Sequence, residues 1–277
     1  MPDEPDAAAA RPRDIYTHGH HESVLRSHRA RTVENSAAYL VPRLHTGVRV
    51  LDVGCGPGTI TLDLAARVTP GEVVGVDAAA DIVEAARADA QHAGCHNVRY
   101  EIGDVYALEF ADGAFDVVHA HQVLQHLADP VSALREMRRV CVSGGTVAAR
   151  DADYAAMTWY PQLPELAEWM RLFQGVTRAN GGEPDAGRRL LAWAREAGFG
   201  TVEPSASVWC FATPDERAWW GGLWADRTIG SSFGEGAVAQ GLAERHDLER
   251  IAAGWREWAA APDGWFAVLH GEVLATA

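Results

Sequence analysis

From residue 48 onward, short apolar runs alternate with longer amphipathic stretches. The apolar runs predict strands at 48–53, 72–77, 98–102, 115–120 and 144–150, and the 3.6-residue patterns predict helices at 59–68, 80–93 and 130–141. Gly47, Pro70-Gly71, Gly94, Asp112-Gly113, Asp129-Pro130 and Gly144-Gly145 punctuate them, with a turn region at 104–113. Strands and helices alternating over short connections predict an α/β chain with a doubly wound parallel sheet. Upstream, the Ala/Pro/Asp/Arg-rich residues 1–13 read as disordered and 22–40 as a helix. After Arg150 the alternation breaks: helical patterns cover about 162–180, 186–197, 214–228 and 236–260, and strand patterns cover 201–211 and 265–275.

Between the first strand and helix lies Leu51-Asp52-Val53-Gly54-Cys55-Gly56-Pro57-Gly58. Such a glycine turn lets a ligand approach the backbone closely, and the second strand ends in an acid, Asp77, placed for a ribose diol. A dinucleotide fingerprint would have glycine where Thr59 stands, and a pyrophosphate would be repelled by Asp52 at the strand end. A phosphate-free cofactor with a cationic centre fits better. S-adenosylmethionine carries an ammonium, a sulfonium and a diol. At this point the chain resembles the class I S-adenosylmethionine-dependent methyltransferases, whose first motif reads apolar-apolar-D/E-apolar-G-x-G-x-G. Its overall pattern is similar to their small-molecule group, in quinone biosynthesis and natural-product methylation.

That resemblance covers residues 46–150 strongly and the later strands by topology only. It implies a Rossmann-like seven-stranded sheet ending in an antiparallel hairpin of 201–211 and 265–275. Helical inserts of about 154–185 and 212–262 would follow the fifth strand and separate the sixth from the seventh. The chain would then divide into a tail and lid (1–45), a cofactor-binding core (46–150) and a substrate-side part completing the sheet (151–277). The implied activity is methyl transfer by in-line displacement onto a small, hydrophobic or aromatic metabolite. A macromolecular acceptor, or a cofactor-binding protein with a non-methylating reaction, stays open.

Carried onto this sequence, Gly54, Gly56 and Gly58 would admit the methionyl part of the cofactor, with Asp52 near its ammonium. Asp77 can accept two hydrogen bonds with one carboxylate, hence both ribose hydroxyls. Ala78 would pack on the adenine, and Gly103-Asp104-Val105 would supply an acceptor and a backbone N–H to its edge. The stretch Phe115 to Leu127 is similar to the family's F-D-x-V…V-L-x-H segment; Ala120 would offer a carbonyl to the amine, His121 and Gln122 would face the crevice, and His126 is expected in a structural hydrogen bond. Tyr16 with His18, His20 or His21 would close a lid over the site. Methyl transfer needs alignment more than acid–base power, so the catalytic candidates are limited to His121, Asp153 and His20.

Composition narrows the alternatives. The 277 residues include no lysine, which excludes Schiff-base, Walker-A and pyridoxal phosphate chemistry. A net charge of −14 works against nucleic acid, although residues 11–43 hold six arginines against three acids. The four cysteines lack ligand spacing, so neither disulfides nor a metal site is expected. No apolar run is long enough for a membrane span and no signal pattern opens the chain, so a cytoplasmic location is expected. The expected partner is a small acceptor, with homo-oligomerisation left open. All ten tryptophans fall between residues 159 and 265. They suggest an aromatic pocket in the inserts, or ordinary core packing at helical spacings.

Overall fold

The computed structural model describes residues 14–19 and 21–277. The 1–13 segment and the candidate His20 lie outside the described residues. The helix expected over 22–40 is broken into α1 (Glu22–Arg29), α2 (Val33–Ser36) and a 3-10 turn (Ala38–Arg43). The break has a local cause. Thr32 accepts from the Asn35 N–H while the Asn35 side chain accepts from the Thr32 N–H, a capping box that restarts the helix.

The alternating core follows: β1 (Val50–Val53), α3 (Thr59–Val68), β2 (Val73–Asp77), α4 (Ala80–His92), β3 (Val98–Ile102), β4 (Phe115–His121), α5 (Pro130–Val140) and β5 (Cys141–Ala152). Asp129 caps α5 through the Ser132 N–H, with Pro130 in the first turn where its missing donor costs nothing. Beyond β5 come β6 (Thr158–Tyr160), α6 (Pro164–Ala179), α7 (Leu190–Glu196), β7 (Thr201–Phe211), α8 (Pro214–Gly230), α9 (Ser232–Ala239), α10 (Arg245–Ala260) and β8 (Trp265–Thr276).

The sheet runs β3-β2-β1-β4-β5-β8, with β7 on the far side of β8. The first five strands are parallel, and β8 is antiparallel to β5 and β7. This is the Rossmann-like arrangement, with helices covering both faces of strands buried on both sides. The sheet has eight strands rather than seven. The extra one, β6, pairs with the start of β8 beyond the end of β5, and three residues are too few to give a periodic signal.

Two cores matter for the site. One lies under the sheet, where Leu51, Val53, Val118 and Ala120 meet α5 and α7. The other is aromatic and built by the inserts: Trp169, Phe173, Trp224, Phe233, Trp255, Trp258 and Phe266 are fully buried against one another. Most insert tryptophans are therefore core, because large rings at helical spacing bury the most surface per position. The aromatic core starts at Ala152, where β5 ends, so it stands beside the carboxyl edge of the parallel strands.

Candidate active site

A cavity of about 640 Å³ opens at the carboxyl ends of β1, β2 and β4, the crevice where open α/β sheets bind ligands. Asp52, Gly54, Gly56, Asp77, Ala78, Gly103, Asp104, Val105, His121 and Tyr16 all line it. The β1–α3 turn is tied to β2 by the Asp77 carboxylate, which accepts from the Gly56 N–H at 3.0 Å and the Ala79 N–H at 3.0 Å. Each oxygen keeps further lone-pair capacity for a diol. Asp104 turns the chain after β3 by accepting the Tyr106 N–H, and stays exposed to the cavity.

The three glycines do different work. A β-carbon on Gly54 would stand 2.4 Å from Val123 Cγ2, and one on Gly58 would collide with the Tyr100 ring. Gly58 is not among the residues that line the cavity, and its missing side chain makes room for the Tyr100 ring. Gly56, at φ 54°, faces open space, with only His28 Nδ1 at 3.7 Å. It is the glycine whose missing side chain leaves room for a ligand.

Asp52 is buried, and its oxygens accept from Thr61 Oγ1 at 2.6 Å and His119 Nδ1 at 2.7 Å. His119 sits directly across from it in the β1–β4 register. These bonds fix the carboxylate at the cavity wall. Ala120 pairs with Val53 inside the sheet and does not line the cavity, so His121 and Gln122 form that wall instead. Gln122 has φ 54°, the left-handed region that costs a non-glycine residue about 1–3 kcal/mol. Three bonds hold it there: its N–H donates to Arg150 O, its Oε1 accepts from Arg31 Nη2 at 2.6 Å, and its Nε2 meets His270 Nε2 at 2.9 Å.

A second cavity of about 1090 Å³ adjoins the first. Tyr16, His28, Arg31, Gln122 and His126 belong to both walls, so the two chambers meet along one seam. Its body is walled by Tyr154, Met157, Trp209, Phe211, Trp219, Trp220 and Trp224. Residues 14–18 lie against both chambers: Asp14 accepts from the Ala128 N–H, Thr17 from Asn180, and His18 stacks on Phe173 with centroids 5.1 Å apart. His21 instead caps α1 through the Ser23 N–H.

Titration behaviour separates wall from acid–base groups. Burial pushes His121 well below its usual range, and Arg31 and Arg150 push the same way. His121 is therefore a neutral imidazole and a weak proton acceptor, which argues against the catalytic role expected for it. Burial likewise lowers His126 to about 3 and raises Tyr16 to about 12. His126 makes the expected structural bond, to Gln125 Nε2 at 3.0 Å.

Asp153, expected among the catalytic candidates, is placed outside both cavities. It holds Arg188 in two 2.6 Å bonds and caps the turn at Ala156. A carboxylate leaving a strand end readily takes nearby amides, here those of Ala156 and Arg188. Sequence reasoning also missed Arg31, Arg150 and Arg227, because they lie outside any motif and converge only in the folded chain. His119 had a signal: it and Asp52 are polar residues inside apolar strands.

The cavity fits S-adenosylmethionine in its open Gly56 approach and in the Asp52 and Asp77 carboxylates at the ends of β1 and β2. Comparison with known proteins agrees. Residues 44–198 match the family model for a methyltransferase domain. The chain is 34% identical to an uncharacterized methyltransferase of Schizosaccharomyces pombe over 269 residues, covering 94% of this chain and 95% of that protein. The crystal structure of the YcgJ protein from Bacillus subtilis superposes with a TM-score of 0.57 at 19% identity, covering 86% of this chain and 97% of that one. A Haemonchus contortus phosphoethanolamine N-methyltransferase, solved with phosphomonomethylethanolamine and S-adenosylhomocysteine, gives 0.53 at 18% identity, covering 87% of this chain and 51% of that one. With this sheet, this glycine turn and these relatives, the chain belongs to the class I methyltransferases and is an S-adenosylmethionine-dependent enzyme.

Proposed function

We propose that the acceptor is a small, flat, largely apolar molecule held in the larger chamber, and that the cofactor occupies the smaller one. The observation that carries this reading is the seam, because a methyl group need only cross from one chamber to the next. A chamber of about 1090 Å³ walled by tryptophans suits a metabolite better than a protein or RNA segment.

On this reading Asp77 holds the ribose diol, Ala78, Asp104 and Val105 surround the adenine, and Gly54, Gly56 and Asp52 border the methionyl end. S-adenosylmethionine supplies an electrophilic methyl group on a sulfonium. The chain's own residues bind, orient and exclude water. Tyr16, Gln122 and His126 shape the passage between chambers, and no side chain is needed as a base, since alignment alone can remove several kcal/mol of the barrier. His18 and the amino-terminal segment act as a lid that keeps water from the seam.

Methyl-labelled cofactor incubated with an extract split into small-molecule, protein and RNA fractions tests the reading. Label in the hydrophobic small-molecule fraction is the expected result. Label confined to protein or RNA would overturn it.

A further inference from the structure

The larger chamber is lined by two buried arginines, Arg150 and Arg227, and by the partly buried Arg31. Arg150 and Arg227 are 1% and 4% exposed, and Arg31 sits at the seam. Among the described residues one carboxylate in the chamber wall is buried, Glu272, and it pairs with Arg150 at 3.2 Å. The other acids of the wall, Glu34, Glu203 and Glu216, are exposed, and Glu203 already pairs with Arg43. Arg31 and Arg227 have no ion-pair partner among the described residues.

Their hydrogen bonds do not compensate. Arg227 Nη2 donates to Ser23 O and Ser27 Oγ, and Arg31 Nη2 donates to Gln122, all neutral acceptors. The Nε atoms of Arg31 and Arg227 and Nη1 of Arg150 are buried without any acceptor. Arg227 also lies over the Trp224 ring, with its guanidinium 4.5 Å from the centroid, while Arg31 and Arg150 both stand within 6 Å of the Trp209 centroid. A desolvated cation with neutral partners is costly, and an anion entering the chamber removes that cost. Burial brings all three arginines down to about 10, and Arg31 is pushed further by both of the others.

The cofactor accounts for at most part of this charge. Its one carboxylate could take Arg31, which also lines the smaller cavity. Arg227 lines only the larger one and stays without a counter-ion. The wall also holds His18, His28 and His126, none of which can supply a negative charge, and burial lowers His18 and His126 well below their usual range.

We infer that the acceptor is an aromatic carboxylate, its ring against the tryptophan wall and its carboxylate held by Arg227. This rests on the assignment of the larger chamber to the acceptor. A guanidinium fork matches a carboxylate in geometry as well as in charge.

The test is calorimetric, on the full chain saturated with S-adenosylhomocysteine. Salicylate is compared with salicylamide, and hydroxynaphthoate with hydroxynaphthamide, pairs that differ only in charge. At least one acid should bind about tenfold or more tightly than its amide, and Arg227→Met, which keeps the stem over Trp224, should reduce that preference to about twofold. Acids that bind no better than their amides, or a preference that survives in Arg227→Met, would overturn the inference. Arg227→Gln serves as a second variant if the first does not fold, and the wild-type comparison needs no variant. The saturation step reports separately: failure to bind S-adenosylhomocysteine would overturn the cofactor-chamber reading itself, and this inference with it.

Discussion

The three glycines of the β1–α3 turn allow stability and ligand affinity to be separated by one methyl group. Gly54→Ala and Gly56→Ala both force a β-carbon into positive φ, 65° and 54° respectively, a strain of about 1–2 kcal/mol each. At Gly56 nothing more is added, because the new atom meets only His28 Nδ1 at 3.7 Å, an ordinary contact. At Gly54 it meets Val123 Cγ2 at 2.4 Å, with Cγ1 and Cβ within 3.4 Å, an overpacking of about 1–3 kcal/mol more. Gly56→Ala should thus cost about 1–2 kcal/mol of stability and Gly54→Ala about 2–5 kcal/mol. For cofactor affinity the emphasis shifts to Gly56, whose methyl occupies the space a ligand must enter. Its loss should be about tenfold or more, roughly 1.4 kcal/mol, and Gly56→Val should abolish binding. Urea unfolding of the free protein and calorimetric titration with S-adenosylhomocysteine give the two numbers. Equal stability losses would refute the packing argument. Normal affinity in Gly56→Ala would make the turn merely structural.

Three other predictions concern the acids. Asp77→Ala should weaken S-adenosylhomocysteine by about 1–3 kcal/mol, through lost bonds to the diol and a loosened Gly56 amide; unchanged affinity on titration would move the ribose site elsewhere. Asp153→Ala should cost about 1–3 kcal/mol of stability yet leave methyl transfer to the acceptor found by labelling within about threefold, since half-exposed Arg188 stays solvated. A stable variant with turnover lost would restore Asp153 to the catalytic set. Asp151 is fully buried, with Oδ2 unpartnered, and burial raises its carboxyl to about 8. The folded chain keeps this proton while the unfolded chain releases it near pH 4, so the group's stabilisation falls by about 1.4 kcal/mol per unit as pH rises from about 4 to 8. Asp151→Asn should therefore gain on wild type in melting temperature from pH 5 to 8, and parallel curves would disprove the assignment.

The parallel half of the fold and the cofactor cleft were legible in the chain because their information is local. A run such as Val73 to Asp77 can only be a buried strand, and Gly54 to Gly58 leaves few residues free to do anything but turn. Asp52 and Asp77 stand at strand ends, so sequence position alone put them at the carboxyl edge. The break at Thr32 was missed because a four-residue capping box outweighs a weak helical period. The placement of Asp153 was illegible for a different reason. Sequence places it at the right edge of the sheet, but which way a loop carboxylate turns depends on Arg188, thirty-five residues away. The larger chamber was the least legible part. Arg31, Arg150 and Arg227 come from a linker, a central strand and an insert helix, and each is unremarkable in its own segment. Only tertiary packing gathers their charges behind one wall of tryptophans, because burial, and the lack of a counter-ion for Arg31 and Arg227 among the described residues, are properties of the assembled chain and not of any stretch of it.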